Sequence, residues 1–522
     1  MTPFQTFRLW CRRAPLVQKT TAATAAMTVL AALVWTVVPA SPHSAPASSS
    51  LGGSTNGSQA LGTTTTTAAG TAAGPVTTTT PASTPTPSGG APASPSAGTS
   101  GTHTATTTPA RTGTTSSPHC VSPPGNPPGT TATQINLAVI IVDIAGAAGN
   151  STFGIVSPQD QQTAFQAVIN NINASGGVAC RKLVPQFFTL NPVDQSQLQA
   201  ACLTIAQAGV FAVIDPGAYA NYATGLSCYA QNHLPYFDGY DLASQQVQQL
   251  YPYMFAFDTL DSAYKNSVFG LKQAGFFSPS NGFAKLGIIY RDCYPQIVSE
   301  ELAWLNQAGV SSSQISSYDM GCPTAFASPS DIENAIIQFK TAGVTNITEV
   351  DELGDMATFT TAAQTQGFDP KWGIADDGEL EISNGTQAPN STNLNGAIAI
   401  AASRNGENNT AGMLPTAGTA KCNAILQTVG LAPIYKQPAA IGNACDQLWM
   451  FQDAVDNAPA LSPTALAAGL QRTGSIDFSY PQGPNNFTAS GTTVGGQFWR
   501  VDQYSKACSC WQVTNPNWQP TF

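Results

Sequence analysis

The amino-acid sequence predicts an α/β fold: parallel sheets with helices on both faces, divided between two lobes. Three observations carry this expectation. Ile135–Val142 is a continuous apolar run, as in a strand that a parallel sheet buries on both faces. Strand-like and helical patterns then alternate to the end of the chain. The roughly 390 residues involved exceed one such domain, so two lobes are expected.

The chain has 522 residues, of which 19 are Lys or Arg and 29 are Asp or Glu. That is 9% charged, against roughly a quarter in a typical soluble domain. The first acid is Asp143, and only Arg8, Arg12, Arg13, Lys19 and Arg111 are charged before it. The remainder is strongly acidic, which disfavours a nucleic-acid partner because phosphates would be repelled. Residues 20–38 hold no charge, follow basic residues at 8, 12, 13 and 19, and precede Val38-Pro39-Ala40, a small-residue cleavage point. Residues 1–40 read as a secretory signal or an uncleaved signal-anchor, the chain's one expected membrane contact. Residues 41–134 are almost wholly Thr, Ala, Ser, Pro and Gly. Such a segment cannot bury enough apolar area to offset chain entropy and reads as a disordered tether.

A helix is expected from Ser157-Pro158-Gln159-Asp160, with Ser at the N-cap, Pro at the first turn and an acid at N3. Phe165, Val168, Ile169 and Ile172 give it one apolar face, and Gly176-Gly177 ends it. Strands are expected at Leu183–Leu190, Val210–Ile214, Leu234–Phe237 and Tyr253–Phe257, with helices over 195–208 and 219–232 between them. A helix opens near Asp261, Lys285–Tyr290 is a strand and 296–308 a helix. A second Ser-Pro start, Ser328-Pro329, opens a helix over 329–341 with Ile332, Ala335, Ile336 and Phe339 on one face. Strands Asn346–Val350, Trp372–Ala375 and Ala397–Ala401 follow, with a helix near 355–366. The rest reads as helices over 416–428 and 443–458, a third Ser-Pro start at 462–463, and a hairpin of 496–503 with 508–513.

Ile172-Asn173-Ala174-Ser175-Gly176-Gly177 before a strand resembles a segment of the branched-chain amino-acid-type (Leu/Ile/Val-binding-like) substrate-binding proteins, the type I periplasmic binding proteins of ABC transporters. Cys202 and Cys228, flanking a helix, a strand and a glycine loop, resemble the same family, as does the order of elements through Ile288-Ile289-Tyr290. The resemblance implies two Rossmann-like lobes joined by a three-crossover hinge, with the ligand cleft between them. By position, lobe one would be 135–257 plus 403–490 and lobe two 258–402 plus 491–522. It implies an exported solute-binding protein of an ABC importer, with an ABC permease as partner, that closes over a small polar ligand of amino-acid, amide or amine type. The alternative is an extracellular sensing or wall-associated protein of the same fold with no transport role.

Open parallel sheets bind ligands beyond the carboxyl ends of their strands. In lobe one the resemblance points to the loops carrying Tyr219, Asp238 and Tyr240, with Asp143 and Asp215 as further acids. Acids there depart from the family and would oppose a ligand carboxylate. In lobe two the matching positions are Tyr290, Tyr294, Asp351, Glu352, Asp376 and Asp377. Carboxylates beside aromatic faces suit a cation or amine; the competing reading is helix-capping acids and packing tyrosines.

Ten cysteines lie beyond Cys11, an even number that argues for disulfides in an exported chain. Local pairing favours Cys202–Cys228, Cys293–Cys322 and Cys422–Cys445, then Cys120–Cys180, leaving Cys508 and Cys510. Metal binding is disfavoured, since there is no C-x-x-C and His233 is the one histidine after the tether. Neither a cofactor nor catalysis is expected: G-x-S-x-G, Walker A and a strand-following G-x-G-x-x-G are all missing. Few titratable groups and several crosslinks should limit any loss of stability in acid.

Overall fold

The structure, a computed structural model, describes residues 122–522 apart from 145, 147–148, 151–154, 193, 217–222, 240–244, 246–250, 252, 292–294, 322–326, 351–354, 377–388, 405–406, 408–415, 434–438 and 489–492. The candidate signal segment and most of the tether lie outside these residues. No described helix is long and apolar enough to cross a membrane.

The first sheet holds five parallel strands, β1 (Gln134–Val142), β2 (Lys182–Leu190), β3 (Ala212–Asp215), β4 (Tyr236–Asp238) and β5 (Met254–Phe255), in the order β2-β1-β3-β4-β5. The apolar run is explained by burial on both faces of β1. Ile135, Leu137, Val139 and Ile141 enter one core, and Ala138, Ile140 and Val142 the opposite one. Helix Pro158–Ala174 starts as its sequence requires: the Ser157 hydroxyl accepts the Asp160 amide at 3.1 Å, and Phe165, Val168, Ile169 and Ile172 are buried. Its exit needs Gly177, whose φ is +80° and where a Cβ would lie 2.1 Å from the Arg181 carbonyl oxygen.

The second sheet repeats the topology. β6 (Leu286–Tyr290), β7 (Ile315–Asp319), β8 (Asn346–Val350), β9 (Lys371–Ala375) and β10 (Ile398–Ala401) run parallel in the order β7-β6-β8-β9-β10. After a short pair, β11 (Ser475–Ile476) with β12 (Asn485–Asn486), the chain adds β13 (Phe498–Ser505) and β14 (Cys510–Val513) antiparallel beside β10, and β15 (Gln519–Pro520) pairs with β13. β7 was not expected from sequence. It is an edge strand, Ile-Ser-Ser-Tyr-Asp, with no buried residue, so it carries none of the apolar signal of its neighbours. Ser328 caps its helix as expected, whereas Ser462-Pro463 opens only a 3₁₀ turn before helix Leu466–Thr473.

Cys202–Cys228 and Cys422–Cys445 are bonded as expected, and Cys508–Cys510 closes the turn between β13 and β14. Cys180 is also disulfide-bonded, while Cys120, Cys293 and Cys322 lie outside the described residues. Residues 122–134, which composition assigns to the tether, lie against the fold. The Leu461 amide donates to the Pro124 carbonyl at 2.7 Å, the Asn136 amide donates to that of Gly129 at 2.8 Å, and Arg181 donates to the Ser122 hydroxyl at 2.8 Å.

Three segments connect the sheets, and they are bonded to one another. The Ala256 amide donates to the Thr493 carbonyl and the Gly496 amide to that of Phe257. The Gln482 amide donates to the Ala402 carbonyl at 2.7 Å and the Arg404 amide to that of Tyr480 at 2.8 Å. Segments far apart in sequence thus meet in two short pairings between the two sheets.

Candidate functional site

In both sheets the strand order reverses beside the first strand, between β1 and β3 and between β6 and β8. Such switch points, at the carboxyl ends of strands, are where open α/β sheets bind ligands. In the first sheet those ends carry acids. Asp143 follows β1, Asp215 ends β3 and Asp238 ends β4. Asp143 is a loop cap, accepting the Gly146 amide at 3.0 Å and the Asn150 side chain at 2.9 Å. Asp215 is fully buried and accepts the Tyr236 hydroxyl. Asp238 is equally buried, and no side chain hydrogen-bonds either of its oxygens. Burial pushes its carboxyl well above the usual range; nearby Asp215 adds to this and the Gly239 amide opposes it.

A cavity lies at the three connecting segments. Phe257 and Asp258 border it from the first segment, Asp376 from the end of β9, Tyr480 and Gln482 from the segment before β12, and Phe498 from β13. Asp376 accepts the Ser403 amide and, at 3.2 Å, its hydroxyl. Burial pushes Asp258 up to about 7, and Asp376 and Asp261 add to the rise; the Ser262 hydroxyl and Thr259 amide oppose it. Next to this cavity is a buried charge cluster. Arg500 donates from Nε to Glu407 Oε1 at 2.7 Å and ion-pairs through Nη2 with Oε2. Asp502 lies two residues on, with its carboxyl pushed well up by burial and by Glu407, against the pull of Arg500. Among the described residues no group of three or more His, Cys, Asp or Glu is placed to hold a metal ion.

Solved structures share this fold. A periplasmic binding protein type 1 from Bordetella pertussis superposes with a TM-score of 0.53 at 14% identity, covering 75% of this chain and 100% of that one. The fold is that of the type I periplasmic binding proteins. An ABC-transporter solute-binding protein of R. palustris in complex with 4-hydroxybenzoate has this fold too (TM-score 0.54, 15% identity, 74% and 97% coverage). So does a branched-chain amino acid transporter substrate-binding protein of Streptococcus pneumoniae in complex with isoleucine (0.53, 15%, 74% and 100%). No family model and no curated protein matches the chain.

Within this fold the expected site residues fall into three groups. Tyr219, Tyr240, Tyr294, Asp351, Glu352 and Asp377 lie outside the described residues. Asp376 borders the cavity, and Asp238 sits one residue before Gly239, which borders it too. Tyr290 packs against the apolar cluster around Ile288 and Ile297. Sequence reasoning missed Asp258, Gln482 and the Arg500–Glu407 pair. Asp258 had a readable signal, since it follows the expected strand Tyr253–Phe257 as Asp376 follows Trp372–Ala375. Gln482 and Arg500 had none, because they reach the site only through the folding of segments 79 residues from Ser403 and 93 from Glu407.

Proposed function

We propose that this chain is an exported binding protein that takes a small polar ligand into the cleft between its two sheets, without catalysing a reaction on it. The supporting observation is the cavity at the connecting segments, bordered from both sheets by buried polar side chains. A ligand that touches both sheets differentially stabilises their closed arrangement. The neighbours whose complexes contain isoleucine and 4-hydroxybenzoate fit a binding role, and their two ligands share no single chemistry. In this reading residues 20–38 direct export, the tether spaces the binding unit from the surface, and an ABC permease receives the ligand. The long Thr/Ala/Ser/Pro/Gly segment 41–134 favours a second reading, a sensing or wall-associated protein of the same fold; a neighbouring permease and ATPase gene pair would decide for transport.

A thermal-shift screen of the full-length protein tests the binding role. Amino acids, amides, polyamines, sugars, nucleosides and aromatic acids form the panel. A ligand at 100 times its Kd should stabilise the fold by about 2.7 kcal/mol and raise the melting temperature. An unchanged melting temperature across all classes would contradict the proposal.

A further inference from the structure

Two side chains that border the cavity each carry a buried acceptor oxygen with no hydrogen-bond partner, Asp258 Oδ2 and Gln482 Oε1. Their side chains are 6% and 1% exposed. Buried acceptors left unpaired are unfavourable, and donors that reach them remove that penalty. The Gln482 amide cannot turn its donor to the cavity, because Nε2 already donates to the Ser403 carbonyl at 2.6 Å and to Glu407. The polar side-chain atoms that Asp258, Asp376 and Gln482 can offer there are therefore acceptors, and among the described residues none that borders the cavity is basic. The apolar part of the wall is aromatic: Phe257, Tyr480 and Phe498.

We infer that the occupant of this cavity is a small organic ammonium ion. Its N–H groups bond Asp258 Oδ2 and Gln482 Oε1, Asp376 balances its charge, and the aromatic faces meet its cationic end. The inference rests on the binding role proposed above and narrows its ligand. A carboxylate in the same place would meet two acids and a carbonyl-type oxygen in a dry environment, where like charges repel far more than in water.

Charge around Asp258 makes the binding proton-linked. It is faced by Asp376 from β9 and Asp261 from its own helix, and beyond Asp376 stand Asp502, Glu407, Arg404 and Arg500. With Asp258 near 7, protonating it removes one of the two carboxylates that meet the ligand's charge. Titrations of the full-length protein with putrescine, agmatine and phenethylamine at pH 8 and pH 6 test this, because each amine keeps its proton at both values. At least one should bind, about tenfold more weakly at pH 6, and Asp258→Asn should weaken binding at pH 8 by about tenfold or more. If that variant does not fold, the wild-type pH comparison still decides. Three results would overturn the inference: no amine binds; an amine binds equally at both pH values; or Zn²⁺, Ca²⁺, butyrate or 4-hydroxybenzoate binds and the amines do not. An anion alone would leave the binding role standing, whereas silence from every class would remove both.

Discussion

Replacing Arg500 with leucine should destabilise the protein by about 3–5 kcal/mol. Arg500 and Glu407 are 2% and 1% exposed, so neither charge can be screened by water. Glu407 holds both Arg500 nitrogens and also accepts the Gln482 side chain. Without Arg500 this carboxylate stays buried beside Asp502, with Arg404 as the remaining cation, and burial already disfavours the charge on Arg404. The loss would reflect a stranded charge more than a missing contact, so adding Glu407→Gln to Arg500→Leu should restore part of the stability. Equilibrium urea unfolding of the single and double variants measures both effects. A loss below about 1 kcal/mol, or a double variant worse than Arg500→Leu alone, would contradict this description of the cluster.

The melting temperature should rise, not fall, as the pH is lowered from 8 to 5. Burial lifts Asp258 and Asp446 to about 7 and Asp453 to about 6, and it pushes Asp238 and Asp502 well up as well. Asp446 rises even though it accepts the Ser479 amide and hydroxyl and the Tyr480 amide. A carboxyl raised in the fold keeps a proton that the unfolded chain, titrating near 4, has released. Its contribution is therefore fully present below pH about 4 and is lost as pH rises through 6 to 7. Moving one carboxyl from 3.8 to about 7 is worth about 4 kcal/mol at full strength. Even a fraction of that, summed over several groups, should raise the melting temperature by about 5 °C or more. Asp446→Asn should flatten the profile. A melting temperature that drops between pH 7 and pH 5 would contradict it.

This sharpens what composition alone suggested. A charge-poor, crosslinked fold reads from sequence as one that acid scarcely weakens; the buried aspartates should make it one that mild acid strengthens. The fold itself was legible wherever burial writes a pattern. β1 is apolar because both its faces are covered, and Ser157 and Ser328 mark helix starts because a hydroxyl must meet an amide there. β7 was illegible because an edge strand of Ser, Tyr and Asp buries nothing. Residues 122–134 were assigned to the tether because their composition matches it, although hydrogen bonds to Leu461, Asn136 and Arg181 hold them. The site was half legible. Asp238 and Asp376 stand where strand ends put them, but Gln482, Ser403 and Arg500 meet there only because the connecting segments bond to one another.

The central claim is that ligand is held where those segments meet, and hydrogen exchange with and without a ligand that raises the melting temperature tests it most directly. Amides of 254–260, 398–404 and 478–487 should exchange more slowly with ligand bound. Slowing confined to another region, such as the tyrosine-lined cavity at Tyr229 and Tyr251, or no slowing at all at saturating ligand, would contradict it.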